Sequence, residues 1–202
     1  MRRSESGREH LNRVKAHLQS TVFGQDDAVK QALKSLTVHF ADQCPPNLPI
    51  KTFLCIGPTG VGKTELPKQL ARALGIPYTT IDMTEFSERH SASRLFGAPP
   101  GYVGFEDRGI LETELAKSPE GVIALNEFEK AHRTVQQSFL EIFDTARSKT
   151  GRGKPLSFEQ TIFFLTSNQT TTAIVKKGMG FLPQSKRDTR ADLLEGFAPG
   201  VS

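Results

Sequence analysis

The sequence predicts an α/β protein with three layers, in which a mostly parallel sheet is flanked by helices on both faces. Four short apolar runs, "KTFLCI", "PYTTID", "GVIALN" and "TIFFLTSN", have the length and the flanking residues of buried strands. Helical patterns separate these runs, and strands that alternate with helices favour a parallel sheet. A chain of 202 residues is long enough for one such domain with a sizeable core.

Two helices are expected before the first strand. Apolar residues recur at helical spacing in two segments: Leu11, Val14 and Leu18, and then Val29, Leu33, Leu36 and Phe40. Asp26 and Asp27 mark the start of the second helix, because carboxylates favour the positive end of the helix dipole. The connector "QCPPNLPI" then leads into the strand "KTFLCI".

Two further helical patterns, "TELPKQLARAL" and "TVQQSFLEIFDTAR", alternate with the remaining strands. No internal repeat or low-complexity segment interrupts this order. The alternation therefore describes one continuous domain.

Composition excludes several classes of protein. Mean hydropathy is −0.36, and no apolar run approaches the ~20 residues that cross a bilayer, so no membrane partner is expected. The net charge of +4 suits a polyphosphate ligand but is too dispersed to indicate nucleic acid. Two cysteines do not make a disulfide framework or a zinc site. The charged N-terminus lacks the apolar core of a secretion signal, so we expect a cytoplasmic protein.

The strongest motif is "GPTGVGKT", residues 57–64, which fits G-x-x-x-x-G-K-[ST] between a strand and a helix. In this motif the backbone N–H groups surround a β-phosphate, Lys63 reaches the β- and γ-phosphates, and the Thr64 hydroxyl faces Mg²⁺. A plain glycine turn is the alternative interpretation. The expected nucleotide contacts are Gly57, Pro58, Thr59, Gly60, Val61, Gly62, Lys63, Thr64 and Glu65.

"GVIALNE" supplies the second half of the predicted site. A nucleotide-bound magnesium ion needs an acidic group at the end of a neighbouring buried strand, and at that position the sequence has Asn126 followed directly by Glu127. Glu127 is the candidate general base, which orients or deprotonates the attacking water. Asn126 is the candidate metal contact, although many core strands end in a polar pair.

Two other segments carry candidate residues. "TIFFLTSN" places Asn168 at the mouth of a further strand, where ligands of open α/β sheets bind, although Asn also caps strand ends. "GAPPGYVG" excludes a helix or central strand and displays Tyr102 and Val103 on a loop. A gripping role for the aromatic side chain competes with a simple packed turn.

Together these motifs resemble the second ATPase domain of the Clp chaperones, within the AAA+ superfamily. "VFGQDDAV", "GPTGVGKTEL", "DMTEFSERHSASRLFGAPPGYVGFE", "NEFEKAH" and "TSN" occur in that family's order and spacing. The resemblance implies a P-loop AAA+ large subdomain at residues 21–202, with residues 1–20 as an N-terminal helix or linker. It also implies a hexameric ring that binds ATP or ADP with Mg²⁺ at its subunit boundaries.

The family roles transfer to matching positions. Val22 and Phe23 of "VFGQ" are expected against adenine, and Tyr102 and Val103 of the "GYVG" loop against unfolded polypeptide in an axial pore. Catalytic roles fall on Lys63, Glu127 and Asn168, and metal contacts on Thr64 and Asn126.

The segment "KKGMGFLPQSKR" distinguishes members of the family. Its Met179, Gly180 and Phe181 resemble the loop that docks ClpA-like unfoldases onto a ClpP-type peptidase, which ClpB-type disaggregases lack. The resemblance therefore favours an unfoldase that threads polypeptide to a peptidase. A ClpB-type disaggregase and an ordinary basic surface loop are the alternatives.

Three departures from the family bear on activity. Asn126 replaces an aspartate, Gly200 replaces a glutamate, and "FAPGVS" ends before the arginine finger and the small helical lid domain. We therefore expect weak nucleotide binding and little hydrolysis from residues 1–202 alone. A nucleotide-binding scaffold that does not hydrolyse ATP is a further alternative, favoured by Asn126. A P-loop kinase lacks support, because no acceptor site or lid is evident.

Overall fold

The protein was described from a computed structural model, which covers residues 7–22, 26–40, 47–56, 63–102 and 104–167. Its helices are α1 Gly7–Thr21, α2 Asp26–Phe40, α3 Glu65–Leu74, α4 Ala92–Phe96, α5 Ile110–Lys117 and α6 Arg133–Thr145. Its strands are β1 Lys51–Ile56, β2 Tyr78–Asp82, β3 Gly121–Asn126, β4 Arg147–Lys149, β5 Pro155–Ser157 and β6 Thr161–Ser167. Short 3-10 turns occur at Met83–Phe86, Arg89–Ser91 and Phe128–Lys130.

The main sheet has four strands in the order β1-β6-β3-β2, and every pairing is parallel. β4 and β5 form a separate antiparallel pair. The predicted α/β class, the parallel sheet and the two helices before the first strand are therefore confirmed. Because all four strands run the same way, their carboxyl ends share one edge, where ligands of such sheets bind.

The sheet separates two apolar layers because successive strand side chains point to opposite faces. Phe164 and Val122 pack with α1, α2 and α3, whereas Phe163 and Ile123 pack with α5 and α6. All seven residues of β6 are buried, as expected for a central strand covered on both faces. Among the described residues, no helix is long and apolar enough to cross a membrane.

The local sequence explains how α3 is placed after β1. Pro67 is tolerated because it lies in the first turn, where backbone N–H groups lack helical partners. The helix ends at Gly75, whose φ of 70° is a left-handed conformation that glycine adopts readily. α3 therefore runs from Glu65 to Leu74, and its N-terminus adjoins Lys63, whose side chain contacts the carboxyl end of β6.

Candidate functional site

The candidate site lies at the carboxyl edge of the sheet, where β1, β3 and β6 end. Lys63, Thr64, Asn126 and Glu127 are all described there. Several predicted residues lie outside the described part of the chain: Phe23, Gly57, Pro58, Thr59, Gly60, Val61, Gly62, Val103, Asn168, Met179, Gly180 and Phe181.

Lys63 reaches across the strand ends. Its Nζ donates a hydrogen bond to the backbone oxygen of Ser167, the last residue of β6, at 3.0 Å. Partial burial lowers the pKa of the Lys63 ammonium from its ordinary value, while the Glu129 and Glu127 carboxylates act in the opposite direction. The Lys63 ammonium therefore lies near enough to both carboxylates to interact with them electrostatically.

Thr64 is the N-cap residue of α3, and its side chain is exposed. Its hydroxyl makes no capping hydrogen bond to α3, so the hydroxyl is not used to cap the helix. The first turn of α3 presents backbone N–H groups and the positive end of the helix dipole to this region. These features suit an anionic ligand.

Glu65 follows Thr64 and is paired with Gln69, one turn further along α3. Its Oε1 accepts a hydrogen bond of 2.6 Å from Gln69 Nε2, and Gln69 Oε1 lies 2.9 Å from His17 Nε2. Val22, at the end of α1, is buried in the core cluster with Leu18. The nucleotide contacts expected of Glu65 and Val22 remain predictions.

Asn126 ends β3 and joins both neighbouring strands. Its Nδ2 donates to Thr80 Oγ1 of β2 at 2.9 Å, and its Oδ1 accepts from Thr166 Oγ1 of β6 at 3.4 Å. The amide therefore has a structural use across the sheet. The same Oδ1 retains a second lone pair for another donor or a metal-bound water.

Glu127 follows at once in an unusual backbone conformation. Its φ of 53° and ψ of 49° are left-handed, which is uncommon for a residue other than glycine, asparagine or aspartate. Its N–H donates to Thr166 Oγ1 at 3.2 Å, and its carbonyl accepts from Lys130 N at 2.8 Å. Strain of this kind concentrates at functional sites when the surroundings hold it in place.

Thr80 and Thr166 are site residues that sequence reasoning missed. They hold Asn126 and the Glu127 backbone from 46 and 40 positions away along the chain. The signal available in the sequence was Thr166 itself, a hydroxyl side chain directly after the four apolar residues 162–165. Its burial at 4% exposure fits a residue whose hydroxyl is needed inside the sheet.

The residues fit a nucleotide-bound metal better than a metal held by protein alone. No group of three or more His, Cys, Asp or Glu side chains among the described residues is arranged to hold a metal ion. Asn126 and Thr64 offer neutral oxygens, and Glu127 adds a carboxylate nearby. Mg²⁺ commonly binds with few protein ligands together with substrate phosphates and water.

Tyr102 lies in the loop between α4 and α5 rather than at the strand ends. Its side chain is 70% exposed, as the sequence predicts for this loop. Its N–H donates to Pro99 O at 3.3 Å, and its carbonyl accepts from Phe105 N at 3.2 Å. The loop thus turns repeatedly and holds an aromatic ring in solvent, while the gripping role remains a prediction.

Comparison with known proteins identifies relatives over most of the chain. The family described as AAA domain (Cdc48 subfamily) matches residues 48–199. A ClpA homolog protein from Fuscovulum blasticum is 39% identical over 178 residues, covering 88% of this chain. The ATP-dependent Clp protease ATP-binding subunit ClpE of Streptococcus pneumoniae is 44% identical over 170 residues, or 83% of this chain. The chaperone protein ClpB of Agrobacterium fabrum is 43% identical over 167 residues, or 81% of this chain.

The relatives are much longer than the matched region. The matched residues make up 22%, 23% and 19% of the lengths of these three proteins, in the order given. The similarity therefore concerns one domain of each relative.

Proposed function

Since the chain belongs to the AAA domain (Cdc48 subfamily) family and is a Clp-type member of it, we propose that it is the ATP-binding and ATP-hydrolysing domain of a ring-forming protein unfoldase. The observation that supports this most directly is the position of Lys63. Its ammonium donates a hydrogen bond to the end of β6 and interacts electrostatically with the Glu127 carboxylate. Both contacts lie at the edge of the sheet where α3 begins.

Lys63 and Thr64 hold the nucleotide in this proposal. The Lys63 ammonium would pair with the β- and γ-phosphates, and the Thr64 hydroxyl, on an exposed residue, would serve as a ligand of Mg²⁺. A bound Mg²⁺ supplies charge neutralisation of the phosphates during hydrolysis. Gly57, Thr59, Gly60, Val61 and Gly62 are proposed to contribute backbone N–H groups, whereas Pro58 has no N–H and would contact the nucleotide only by packing.

Glu127 is the proposed general base. Its left-handed backbone and its N–H bond to Thr166 fix where the side chain leaves the sheet edge. A carboxylate there orients or deprotonates the attacking water, which contributes about 10²–10⁴-fold to a rate. Asn168, which follows β6 directly, is proposed to hold the same water.

Asn126 favours a second candidate function. Its amide carries no charge, so magnesium is bound more weakly than by the aspartate usual in the Clp family. A subunit with this residue can retain nucleotide through Lys63 and Thr64 while hydrolysing it slowly. We therefore keep a hydrolysis-impaired scaffold subunit as the alternative.

The polypeptide partner is proposed from the Tyr102 loop. An exposed aromatic ring on a loop can grip unfolded protein in the pore of a hexameric ring, together with Val103. Proteins of both the ClpA and ClpE kind and the ClpB kind match this chain at similar identity. We propose delivery to a ClpP-type peptidase through Met179, Gly180 and Phe181, with a ClpB-type disaggregase as the alternative.

Phosphate release by the full-length protein, measured with and without Mg²⁺, tests the enzymatic proposal. We expect Lys63→Ala to abolish nucleotide binding and Glu127→Gln to keep binding while lowering kcat at least about 100-fold. Lys68→Ala, at a half-buried lysine of α3, the helix that begins two residues after Lys63, is the control and keeps both properties. Normal hydrolysis by Glu127→Gln rules out Glu127 as the general base. ATP binding without hydrolysis by the unmodified protein supports the alternative of a scaffold subunit.

A further inference from the structure

Gln136, in the first turns of α6, has a side-chain amide directed at the turn that follows Glu127. Its Nε2 lies 2.9 Å from Ala131 O and 3.3 Å from both Phe128 O and Glu129 O. Carbonyl oxygens only accept hydrogen bonds, so the NH₂ end of the amide must face them. A single donor group therefore draws three backbone carbonyls together.

Those carbonyls belong to the segment that determines where Glu127 points. The 3-10 turn Phe128–Lys130 begins immediately after Glu127 and closes through Lys130 N to Glu127 O at 2.8 Å and Ala131 N to Phe128 O at 3.2 Å. If this turn opens, the left-handed backbone of Glu127 loses its support on the C-terminal side.

The same helix fixes the turn by an apolar contact. Phe128 is fully buried, and its ring centroid lies 6.0 Å from that of Phe139 and 6.4 Å from that of Phe143. Phe139 and Phe143 lie one and two turns after Gln136 on α6, on the same side. Gln136 thus adds directional hydrogen bonds to a non-directional contact.

We propose that Gln136 is a positioning residue for Glu127: it holds the 128–131 carbonyls so that Glu127 keeps its left-handed conformation at the sheet edge. The inference rests on the proposed function, in which Glu127 acts on the attacking water. Thr166 fixes the Glu127 N–H from the strand side, and Gln136 fixes the following turn from the helix side.

This role predicts a specific kinetic effect. Lys63 and Thr64 do not depend on Gln136, so nucleotide binding should survive its loss. A displaced Glu127 carboxylate lowers the rate of the chemical step, since misplacement of about 1 Å lowers rates up to about 100-fold. We therefore expect kcat to fall while KM for ATP stays nearly unchanged.

The test compares Gln136→Met with Gln137→Met in the full-length protein. Methionine keeps the length and the apolar stem of glutamine but has no N–H donor, and Gln137 is an exposed neighbour on the same helix. For Gln136→Met we expect kcat to fall about 10- to 100-fold with KM within about twofold. Amide hydrogen exchange in residues 127–132 should become faster in this variant and stay unchanged in Gln137→Met.

Three outcomes overturn the proposal. The first is unchanged kcat in Gln136→Met, and the second is unchanged exchange in residues 127–132. The third is a joint loss of nucleotide affinity, thermal stability and hydrolysis, which indicates a general structural role. Failure of the proposed function is recognised separately, because the unmodified protein then shows no Mg²⁺-dependent hydrolysis. The hydrogen-exchange measurement still reports on the 128–131 turn in that case.

Discussion

At the end of β3, the neutral amide of Asn126 lies at the edge of the candidate site. Asn126 donates to Thr80 and accepts from Thr166, so it contributes to holding three strand ends together. An aspartate has the same shape and can accept hydrogen bonds from both threonine hydroxyls. Replacing Asn126 by aspartate therefore changes the charge at this position without requiring a different local fold.

Asn126→Asp in the full-length protein isolates that charge. Two unit charges ~4 Å apart at an effective dielectric of ~20 interact by on the order of 4 kcal/mol, and intervening water reduces this. We expect the ATPase rate to rise at least about tenfold, which corresponds to about 1.4 kcal/mol in the barrier. Half-maximal activity should also be reached at lower Mg²⁺ concentration.

Steady-state hydrolysis measured across a Mg²⁺ titration checks this expectation. Asn126→Ala is the control, because it removes both hydrogen bonds without adding charge. Equal rates for the asparagine and aspartate forms, with equal Mg²⁺ dependence, contradict the electrostatic explanation.

Among the elements, the β4–β5 hairpin is joined to the loop that carries Tyr102. Gly151 N donates to Phe96 O at 2.9 Å, and the Arg152 guanidinium lies 5.8 Å from the Phe105 ring centroid. A Cβ at Gly151 would lie 2.7 Å from Ala98 O, so only glycine permits this approach. The turn of the β4–β5 hairpin and the Tyr102 loop therefore pack against each other.

Glu112 of α5 forms ion pairs with two residues in the turn of the β4–β5 hairpin. Its side chain is 4% exposed, with Oε1 3.0 Å from Lys154 Nζ and Oε2 3.4 Å from Arg152. The hydrogen bond from Lys154 is the main cause that lowers the pKa of the Glu112 carboxyl below its ordinary value of 4.5. The depressed pKa means that the ionised form is favoured in the folded state.

Glu112→Gln therefore has a pH-dependent effect on the stability of the chain. Because folding lowers this pKa, the stabilisation is fully present above pH 4.5 and is lost as the pH falls through the folded-state value. At pH 7 we expect the free energy of unfolding to decrease by about 1–2 kcal/mol, since Lys154 and Arg152 remain partly solvated. As the pH falls below 4.5 the difference between the two forms should become smaller.

Urea denaturation at several pH values between 3 and 7 measures this difference. Glu106→Gln, on the exposed part of the Tyr102 loop, is the control and should unfold like the unmodified chain at each pH. A stability difference for Glu112→Gln that is the same at pH 3 and pH 7 contradicts an ionic role for Glu112.

At the scale of the whole molecule, sequence patterns predicted the strands better than their arrangement. The runs "KTFLCI" and "GVIALN" coincide with β1 and β3, because continuous apolar runs that end at glycine or polar residues leave little ambiguity. The order β1-β6-β3-β2 was not predicted, since periodicity says nothing about which strands become neighbours. The short helices α4 and α5 and the β4–β5 hairpin were also missed.

The same distinction applies to the site. Lys63, Thr64 and Glu127 were identified from local motifs, in which the required residues are close together in the chain. Thr166 and Gln136 act through hydrogen bonds to backbone atoms of other segments, and no local pattern marks such a residue. The left-handed backbone of Glu127 was equally inaccessible, because glutamate has no preference for it.

The first helix shows how far the folded unit extends. Val14 and Leu18 of α1 are fully buried in the cluster formed with α2, α3 and one face of the sheet. His17 adds a polar contact to Gln69 of α3, which in turn holds Glu65 beside Thr64. α1 therefore supports the helix that begins at the candidate nucleotide site.

Leu18→Ala measures that support. Truncating a fully buried leucine removes apolar contacts and leaves a cavity, so we expect the free energy of unfolding to fall by about 2–5 kcal/mol. Gln19→Ala, at the exposed neighbouring position, should change it by less than about 0.5 kcal/mol. Urea unfolding followed by circular dichroism should show one transition shifted to lower denaturant in Leu18→Ala. A separate early transition, or a loss below about 1 kcal/mol, contradicts the view that α1 belongs to the same cooperative unit as the sheet.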